Sequence, residues 1–266
     1  MKLTVQGKEA YAYTGGKPFD ATLPTLVFVH GALNDHSVFT LLARWAAHHG
    51  FGVLAVDLPG HMRSAGPALN RIEAMADWLL ALLDAASVQR AALAGHSMGS
   101  LVALEAASRA PECATRLLML GSAYPMAVGA ALLDAARDTP LKAIEMTIQY
   151  SFSTLAAKPS YPGPGAWLRG SARGLMRQVL AHGGDARLFH TDFSACNDYE
   201  GGLAAAVRVR CPAHLIVAAA DQMTPPRAAR DVAGALKATL HTVPGGHFLM
   251  QEQPDQVLMA MRSALA

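Results

Sequence analysis

Residues 91–109 read AALAGHSMGSLVALEAASR, and this stretch decides the fold class. The apolar run at residues 91–94 predicts a buried strand, and residues 98–109 have the pattern of a helix. The two are joined by Gly95-His-Ser-Met-Gly99, a G-x-S-x-G turn. A serine on such a sharp turn has a strained backbone, so the residues two places before and after it must be nearly free of side-chain atoms. The pattern predicts that Ser97 stands at the edge of a sheet and at the start of a helix.

Short apolar runs and helical patterns alternate on both sides of this turn. Continuous apolar runs are typical of parallel strands that are buried on both faces. One helix is predicted at residues 37–49, ended by Gly50, and another reaches residue 83 after a capping box at Asn70-Arg-Ile-Glu73. The alternation predicts an α/β fold with a doubly wound, mostly parallel sheet. Further strands are predicted at residues 26–29, 52–56, 117–120, 215–218 and 240–243.

The alternation stops at residues 123–205, which we interpret as a helical insertion in a core formed by residues 1–122 and 206–266. Helical patterns cover residues 141–150 and 175–181, and the proline- and glycine-rich segment 159–165 predicts an irregular, mobile entrance. The charges of the insertion cancel, and its apolar residues predict a hydrophobic pocket. Trp167 and Phe152 are candidate substrate-binding wall residues, although either side chain could instead hold the insertion together.

The composition limits the classes of function. The chain has 266 residues, of which 52% are hydrophobic and 16% charged, so it can bury a sizeable core. Its 22 basic and 20 acidic residues are scattered, which argues against a nucleic acid or an anionic membrane as a partner. The first residues do not resemble a secretory signal, and no apolar run approaches the roughly 18 residues of a membrane helix. Three widely separated cysteines favour a reducing compartment, and we expect a cytoplasmic protein.

Asp221 and His247 are the candidate partners of Ser97. A serine hydroxyl is a weak nucleophile that needs a base, and the base needs an acid to orient it. For this turn the partners should follow in the order serine, acid, histidine, at the same edge of the sheet. Asp221 follows the strand predicted at residues 215–218, and His247 follows the one at 240–243. Each also has a simpler interpretation, since Asp221 could cap a helix and His247 is one of 11 histidines.

Two backbone amides are candidates for an oxyanion hole. The first belongs to Met98, the residue after the candidate nucleophile. The second belongs to Ala32 in the loop His30-Gly-Ala32, where a glycine allows a tight turn after a buried strand. We expect His30 itself to have a structural role.

The remaining histidines do not predict a metal site. His36, His61 and His96 lack the spacing of a metal-ligand set, so we expect no metal. His96 should point away from the serine beside it because of the geometry of the turn. Acyl transfer by a serine, a histidine and an aspartate needs no cofactor, and none is expected.

The ordered set His30-Gly31, Asp57-Leu-Pro-Gly60, Gly95-His-Ser-Met-Gly99, Asp221 and Gly245-Gly-His247-Phe resembles the α/β-hydrolase superfamily. The resemblance covers residues 25–262 and implies a sheet of about eight strands, with a helical cap inserted after the sixth. It also implies that Ser97 is the nucleophile, His247 the base and Asp221 the acid, and that the Ala32 and Met98 amides bind the oxyanion. One departure is Met62, where similar proteins often have glycine.

The resemblance is strongest to carboxylesterases and related cofactor-free hydrolases. It implies hydrolysis of a small hydrophobic carboxylic ester through an acyl-enzyme intermediate. The same three residues could instead cleave a carbon–carbon bond, a thioester or a lactone, because function depends on the site rather than on the fold. A ligand-binding receptor of this fold is a further alternative. The oligomeric state is left open.

Overall fold

A single eight-stranded sheet organises the computed structural model, which describes residues 1–158, 160–161 and 163–266. The strands are β1 (Lys2–Val5), β2 (Lys8–Tyr13), β3 (Thr25–Val29), β4 (Gly52–Val56), β5 (Ala91–His96), β6 (Ala114–Leu120), β7 (Ala213–Ala218) and β8 (Thr239–Val243). Their order is β1-β2-β4-β3-β5-β6-β7-β8. Strands β3 to β8 run parallel, whereas β1 and β2 pair antiparallel at one edge. The prediction of a mostly parallel sheet of about eight strands is confirmed.

Helices cover both faces of the sheet. In β3, Val27 and Val29 belong to one apolar cluster and Leu26 and Phe28 to another, because successive side chains point to opposite faces. This two-sided burial explains why the parallel strands β3 to β7 contain continuous apolar runs, whereas the edge strand β8 is largely exposed. The α-helices of the described residues are α1 (Thr40–His48), α2 (Ile72–Ala85), α3 (Met98–Arg109), α4 (Ala130–Asp138), α5 (Pro140–Ser151), α6 (Leu168–His182), α7 (Leu188–Asn197), α8 (Gly202–Arg208), α9 (Arg230–Leu236), α10 (Leu249–Glu252) and α11 (Pro254–Leu265).

Residues 123–205, here called the cap segment, lie between β6 and β7. Helices α4, α5, α6 and α7 form a third apolar cluster with Leu33 and Phe248 from the sheet loops. Helix α8 instead packs on α3 and α9, against the face of the sheet. The helical patterns predicted at 141–150 and 175–181 fall within α5 and α6. Pro159 and Pro162, in the predicted irregular entrance at 159–165, lie outside the described residues.

Some local features differ from the predictions. Helix α2 begins at Ile72, with Arg71 at its N-cap and no side-chain cap, so the capping box predicted at Asn70 is wrong. The Glu73 carboxylate pairs with the Arg71 guanidinium at 3.2 Å. Strands β1 and β2 were not predicted, because exposed polar residues interrupt their apolar pattern. Gly50, at φ 87°, follows the end of α1 as predicted.

Met62 stands where similar proteins often have glycine. Its φ is 40°, in the left-handed region that favours glycine. The loop nevertheless closes, because Asp57 Oδ2 accepts a hydrogen bond from the Arg63 amide at 3.2 Å and the Ser64 hydroxyl donates to the Asp57 carbonyl at 2.6 Å. The loop therefore forms these hydrogen bonds although Met62 has a backbone conformation that favours glycine.

Two further predictions from the sequence concern membrane-spanning helices and disulfide bonds. Among the helices of the described residues, none combines the length and the apolar composition that crossing a membrane requires. Cys113, Cys196 and Cys211 all carry free thiols. Burial raises the pKa of the Cys196 thiol, so this side chain behaves as a small apolar group.

Candidate active site

The turn after β5 presents Ser97 at the start of α3. Its backbone has φ 52° and ψ −121°, a conformation that residues other than glycine rarely adopt. A Cβ atom on Gly95 would overlap the carbonyl of Gly99, and one on Gly99 would overlap the carbonyl oxygens of Val29 and His30. The two glycines are therefore required, because β5, α3 and the end of β3 meet at this turn. The Ser97 amide donates to a carbonyl of β6 at 2.9 Å, which fixes the turn to the sheet.

Asp221 and His247 form a buried hydrogen-bonded pair. Asp221 Oδ2 accepts from His247 Nδ1 at 2.9 Å and from the Thr224 hydroxyl at 2.8 Å. Its Oδ1 accepts from the amides of Met223 and Thr224, each at 2.8 Å. Burial alone would raise the pKa of the Asp221 carboxyl, but the charge of His247 and these hydrogen bonds lower the pKa to about 2. The ionised carboxylate therefore faces the imidazole with one oxygen and closes the turn after β7 with the other.

His247 and Ser97 line the same cavity, although no hydrogen bond joins their side chains within the described part of the chain. Gly121, at φ 53°, passes so close that a Cβ there would lie 3.3 Å from His247 Nδ1. The His96 ring centroid lies 4.7 Å from that of His247, and His96 Nε2 is 2.9 Å from the His247 carbonyl oxygen. Burial, with the nearby His247, lowers the pKa of His96 to about 3, so this ring is neutral. His247 is thus supported from two sides.

The loop after β3 brings Ala32 to Ser97. Gly31 packs so closely on the turn that a Cβ there would lie 3.1 Å from the Ser97 Cβ. Ala32 lines the cavity beside Ser97, and Met98 is the first residue of α3. Among the described residues, the amides of Ala32 and Met98 have no hydrogen-bond acceptor. Both amides therefore remain able to bind an oxyanion.

His30 joins two loops at the edge of the sheet. Its Nε2 accepts from the Leu58 amide at 3.0 Å, and its Nδ1 is 2.9 Å from the Gly31 carbonyl oxygen. Burial, with the nearby charge of His61, lowers the pKa of His30 to about 3. The neutral ring ties the loop after β3 to the loop after β4.

A second buried pair, His61 and Asp192, was not predicted from the sequence. Asp192 Oδ2 accepts from His61 Nε2 at 3.0 Å and from the Leu33 amide at 2.8 Å. Leu33 follows Ala32 and has a left-handed φ of 50°. Burial opposes the charged imidazole, but the Asp192 carboxylate outweighs it and raises the pKa of His61. Helix α7 of the cap segment is thereby joined to both loops, across 131 positions of sequence that no local pattern connects.

An apolar cavity of about 390 Å³ opens beside Ser97 and His247. The cap segment supplies most of its wall. Such a wall favours hydrocarbon groups over ions. The apolar lining residues include Met126, Val128, Leu132, Met146, Tyr150 and Phe193.

Trp167 and Phe152, the predicted wall residues, lie elsewhere. The Trp167 side chain is 61% exposed, and the Arg173 guanidinium lies 5.8 Å from its ring centre. Phe152 is buried and stacks on Phe248, with ring centroids 5.1 Å apart. Neither belongs to the cavity wall as far as the described residues form it. The structure does not support the two as wall residues, and Phe152 instead packs the cap segment onto the core.

Asp35, His36 and Asp57 are a group of described residues whose ligand-type atoms lie within 4.8 Å of one another. Their carboxylates already accept hydrogen bonds from the backbone: Asp35 Oδ1 from the Ser37 amide at 2.8 Å, and Asp57 Oδ1 from the His36 amide at 2.9 Å. His36 Nδ1 lies 2.7 Å from the same Asp57 oxygen. These contacts account for the three side chains as supports of the loops after β3 and β4.

This chain is similar in sequence or in structure to several known proteins. The model of the "Alpha/beta hydrolase family" matches residues 26–260. The pimeloyl-[acyl-carrier protein] methyl ester esterase of Chromobacterium violaceum is 31% identical over 242 residues, which cover 86% of this chain and 90% of that protein.

Two further proteins are similar over different lengths. The dihydrolipoyllysine-residue acetyltransferase component of the acetoin cleaving system of Pseudomonas putida is 40% identical over 105 residues, and this match spans 37% of the chain and 26% of that relative. The solved structure of the enol-lactonase from Burkholderia xenovorans LB400 superposes with a TM-score of 0.84 over 100% of this chain and 99% of that chain. Its sequence identity is 20%, so this likeness concerns the fold alone.

Proposed function

The chain belongs to the alpha/beta hydrolase family, and we propose that it is a serine hydrolase that cleaves carboxylic esters through an acyl-enzyme intermediate. The observation that carries the proposal is the Asp221–His247 hydrogen bond, which lies at the same apolar cavity as the strained turn of Ser97. A histidine whose Nδ1 is held by a carboxylate presents Nε2 as a base. A serine at a helix N-terminus lies where negative charge is stabilised.

In the first half of the reaction Ser97 Oγ attacks the ester carbonyl carbon, and His247 takes the hydroxyl proton. The carbonyl π bond opens, and its oxygen becomes an anion that the amides of Ala32 and Met98 bind. The anion then reforms the carbonyl, the bond to the alcohol oxygen breaks, and His247 gives its proton to that oxygen. The products of this half are an acyl-Ser97 ester and a free alcohol.

In the second half a water molecule replaces the alcohol. His247 takes a proton from the water, whose oxygen attacks the acyl carbon and forms a second oxyanion in the same hole. Collapse of this anion breaks the bond to Ser97 Oγ, and His247 returns the proton to the serine. The carboxylic acid leaves, and Asp221 remains ionised throughout while it stabilises the charged imidazole.

A small hydrophobic substrate is the best fit to the apolar cavity. Its volume of about 390 Å³ falls within the range of small-molecule sites, and its wall is mostly apolar. The relative from Chromobacterium violaceum is named as an esterase of a methyl ester, which supports the ester as the bond that is cleaved. Lactone, thioester or carbon–carbon hydrolysis would use the same three residues, and a substrate panel separates them.

The test is hydrolysis of ethyl butyrate by the wild type and the Ser97→Ala variant, followed as acid release. We expect the variant to lose roughly four to six orders of magnitude in turnover, because it lacks the nucleophile. Ser171→Ala, which removes an exposed serine of α6, is the matched control and should hydrolyse the ester at the wild-type rate. A Ser97→Ala variant as active as the control would contradict the proposal. A wild type that cleaves lactones or thioesters but no open-chain ester would change the bond and keep the nucleophile.

A further inference from the structure

A second, much smaller cavity lies beside the candidate catalytic residues. Its volume is about 20 Å³, against about 390 Å³ for the apolar cavity. Ala32, Ser97 and His247 line both cavities, so the reacting groups lie between a large space and a small one. The walls that belong to the small cavity alone are Gly31, Asn34, His96, Thr147 and Phe248.

Three of these wall residues carry a buried polar atom without a hydrogen-bond partner. The atoms are Asn34 Oδ1, His96 Nδ1 and Thr147 Oγ1, and all three side chains are at least nine-tenths buried. Buried polar atoms in proteins are nearly always paired, so each exception needs an explanation. Of the seven such atoms among the described residues, three belong to the wall of this one cavity. Their clustering indicates a ligand that completes their hydrogen bonds.

The neighbouring contacts determine the polarity of the cavity. The Asn34 side-chain amide donates to the Ala32 carbonyl at 2.8 Å, which leaves Asn34 Oδ1 as an acceptor. His96 Nε2 faces the His247 carbonyl, so in the neutral ring Nε2 carries the hydrogen and Nδ1 is an acceptor. The Thr147 hydroxyl can donate or accept. Two acceptors and one hydroxyl are suited to a ligand with an O–H group.

The size of the cavity limits the ligand to very few atoms. A space of roughly 10 to 15 Å³ is needed for one water molecule, which also needs two to four polar partners. The small cavity meets both conditions. A hydrocarbon chain would find too little room there and would leave the three polar atoms unpaired, whereas the apolar cavity suits it.

We infer that the small cavity is the leaving-group subsite: it takes the alcohol part of the ester, and then the hydrolytic water, while the acyl chain lies in the apolar cavity. The inference rests on the proposed function and narrows the substrates to esters that join an apolar acid to a very small alcohol. When the bond to the alcohol oxygen breaks, that oxygen receives the proton from His247 and donates it in a hydrogen bond to the cavity wall. After the alcohol has left, water occupies the same position, donates one hydrogen to the cavity wall and accepts from the Thr147 hydroxyl; His247 takes its other proton as the water oxygen attacks the acyl carbon.

The first test is a series of methyl, ethyl and n-butyl hexanoates, which keep the acyl group and change only the alcohol. These alcohols have similar acidity, so their intrinsic reactivity as leaving groups hardly differs. We expect kcat/KM to fall at least about tenfold from methyl to n-butyl, because the added methylenes do not fit. Equal values along the series, or a preference for acetates of long alcohols, would overturn the inference.

The second test uses Thr147→Val, which keeps the shape of the side chain and removes the hydroxyl, with Thr147→Ser as the variant that keeps the hydroxyl. The hydrolytic water loses one partner in Thr147→Val, so we expect deacylation to slow roughly three- to tenfold. The burst of p-nitrophenol from p-nitrophenyl hexanoate measures acylation, and the steady rate that follows it measures deacylation by water. Thr147→Ser should deacylate at close to the wild-type rate, and a Thr147→Val variant that does so too would overturn the role of this wall.

The outcomes also separate this inference from the function on which it rests. If no ester is hydrolysed and Ser97 does not react with an acylating reagent, the proposed function fails and the subsite with it. If esters are hydrolysed through Ser97 while the alcohol series is flat, the subsite alone is wrong. Should Thr147→Val not fold, the alcohol series on the wild type decides by itself.

Discussion

The loops at the edge of the sheet and the cap segment contribute to the same cavity in different ways. At the edge of the sheet, Ser97, Asp221 and His247 are held by backbone conformation and by short, directional hydrogen bonds. The cap segment meets them with an apolar wall whose residues are positioned by packing. Under the proposed function, one region determines which bond can be attacked, and the other determines which molecule fits.

This difference has consequences for substitutions. Proton transfer requires particular hydrogen bonds and backbone angles. Changes at the edge of the sheet should therefore remove activity and leave the fold largely intact. Apolar packing is graded, so changes in the cap segment should alter preference and stability by moderate amounts. The His61–Asp192 pair connects the two regions and should show both kinds of effect.

Among the variants that keep Ser97, the largest effect is expected from Asp221→Asn, which tests whether the edge of the sheet acts through orientation. The new amide group would face His247 Nδ1 and favour the tautomer that carries its proton on Nε2, where a base is needed. We expect kcat to fall about 10⁴-fold with little change in the free energy of unfolding. Urea unfolding and ester hydrolysis measure the two quantities. Asp231→Asn, at an exposed position of α9, is the control, and equal activity in both variants would mean that another carboxylate orients the base.

Asp192→Ala should affect both regions, because Asp192 joins the cap segment to the loops at the edge of the sheet. Its removal leaves a buried histidine and the Leu33 amide without their acceptor, so we expect a loss of about 3 kcal/mol in the free energy of unfolding. Activity should also fall, because Leu33 adjoins the Ala32 amide. Thermal or urea unfolding measures the stability. The rate of ester hydrolysis per folded molecule measures the activity.

Asp198→Ala, at an exposed aspartate at the end of α7, is the matched control for this variant. If Asp192→Ala is no less stable than Asp198→Ala, the buried pair does not join the cap segment to the core. If it loses stability but folded protein keeps full activity, the loop after β3 holds its position without Asp192.

A moderate effect is expected from Met146→Ala, which enlarges the apolar cavity from the side of the cap segment. We expect the preferred acyl chain to lengthen and the ratio of kcat/KM values for long and short chains to change several-fold. Leu141→Ala, at an exposed position of the same helix, should keep the wild-type preference. An unchanged preference in a folded Met146→Ala variant would make this wall structural and place the selection of substrates elsewhere.

The smallest effect is a dependence of stability on pH that arises from His61. Because Asp192 raises the pKa of His61 above its ordinary value of 6.5, the charged pair stabilises the fold below pH 6.5. This contribution is lost as the pH rises through the raised pKa. The stability advantage of the wild type over His61→Gln should therefore shrink as the pH rises above 6.5 and through the raised pKa. A constant or growing advantage in urea unfolding would show that the pair is not charged.

The parts of the molecule that could be predicted from the sequence are those set by local backbone physics. Gly95 and Gly99 are required by steric overlap at one turn, so the sequence around Ser97 carries the signal directly. The parallel strands β3 to β7 are visible as apolar runs because helices cover both of their faces, whereas the edge strand β8 is largely exposed. Strands β1 and β2 have exposed residues and lack that signal. Asp221 and His247 could be proposed because strand ends meet at one edge of the sheet.

The rest depends on how distant segments pack. Trp167 is predicted as a wall residue because the apolar residues of the insertion indicate a hydrophobic pocket, but its place on the surface follows from the course of α6. His61 and Asp192 meet only in the folded chain. Asn34 and Thr147 also come together only in the folded chain, where their unpaired polar atoms belong to the wall of one cavity. Thr224 is easier to predict from the sequence than these residues, since an aspartate followed three residues later by threonine is a common turn pattern.

The central claim, that Ser97 is the nucleophile, is tested most directly by reaction with a fluorophosphonate followed by peptide mapping. The reagent captures a serine that an adjacent base has activated. We expect one label per chain, on the peptide that contains Ser97, and no label on Ser97→Ala. Asp221→Asn should react far more slowly, because its base is misoriented. A label on Ser64, Ser100 or any other serine, or a wild type that stays unlabelled while it hydrolyses esters, would contradict the account.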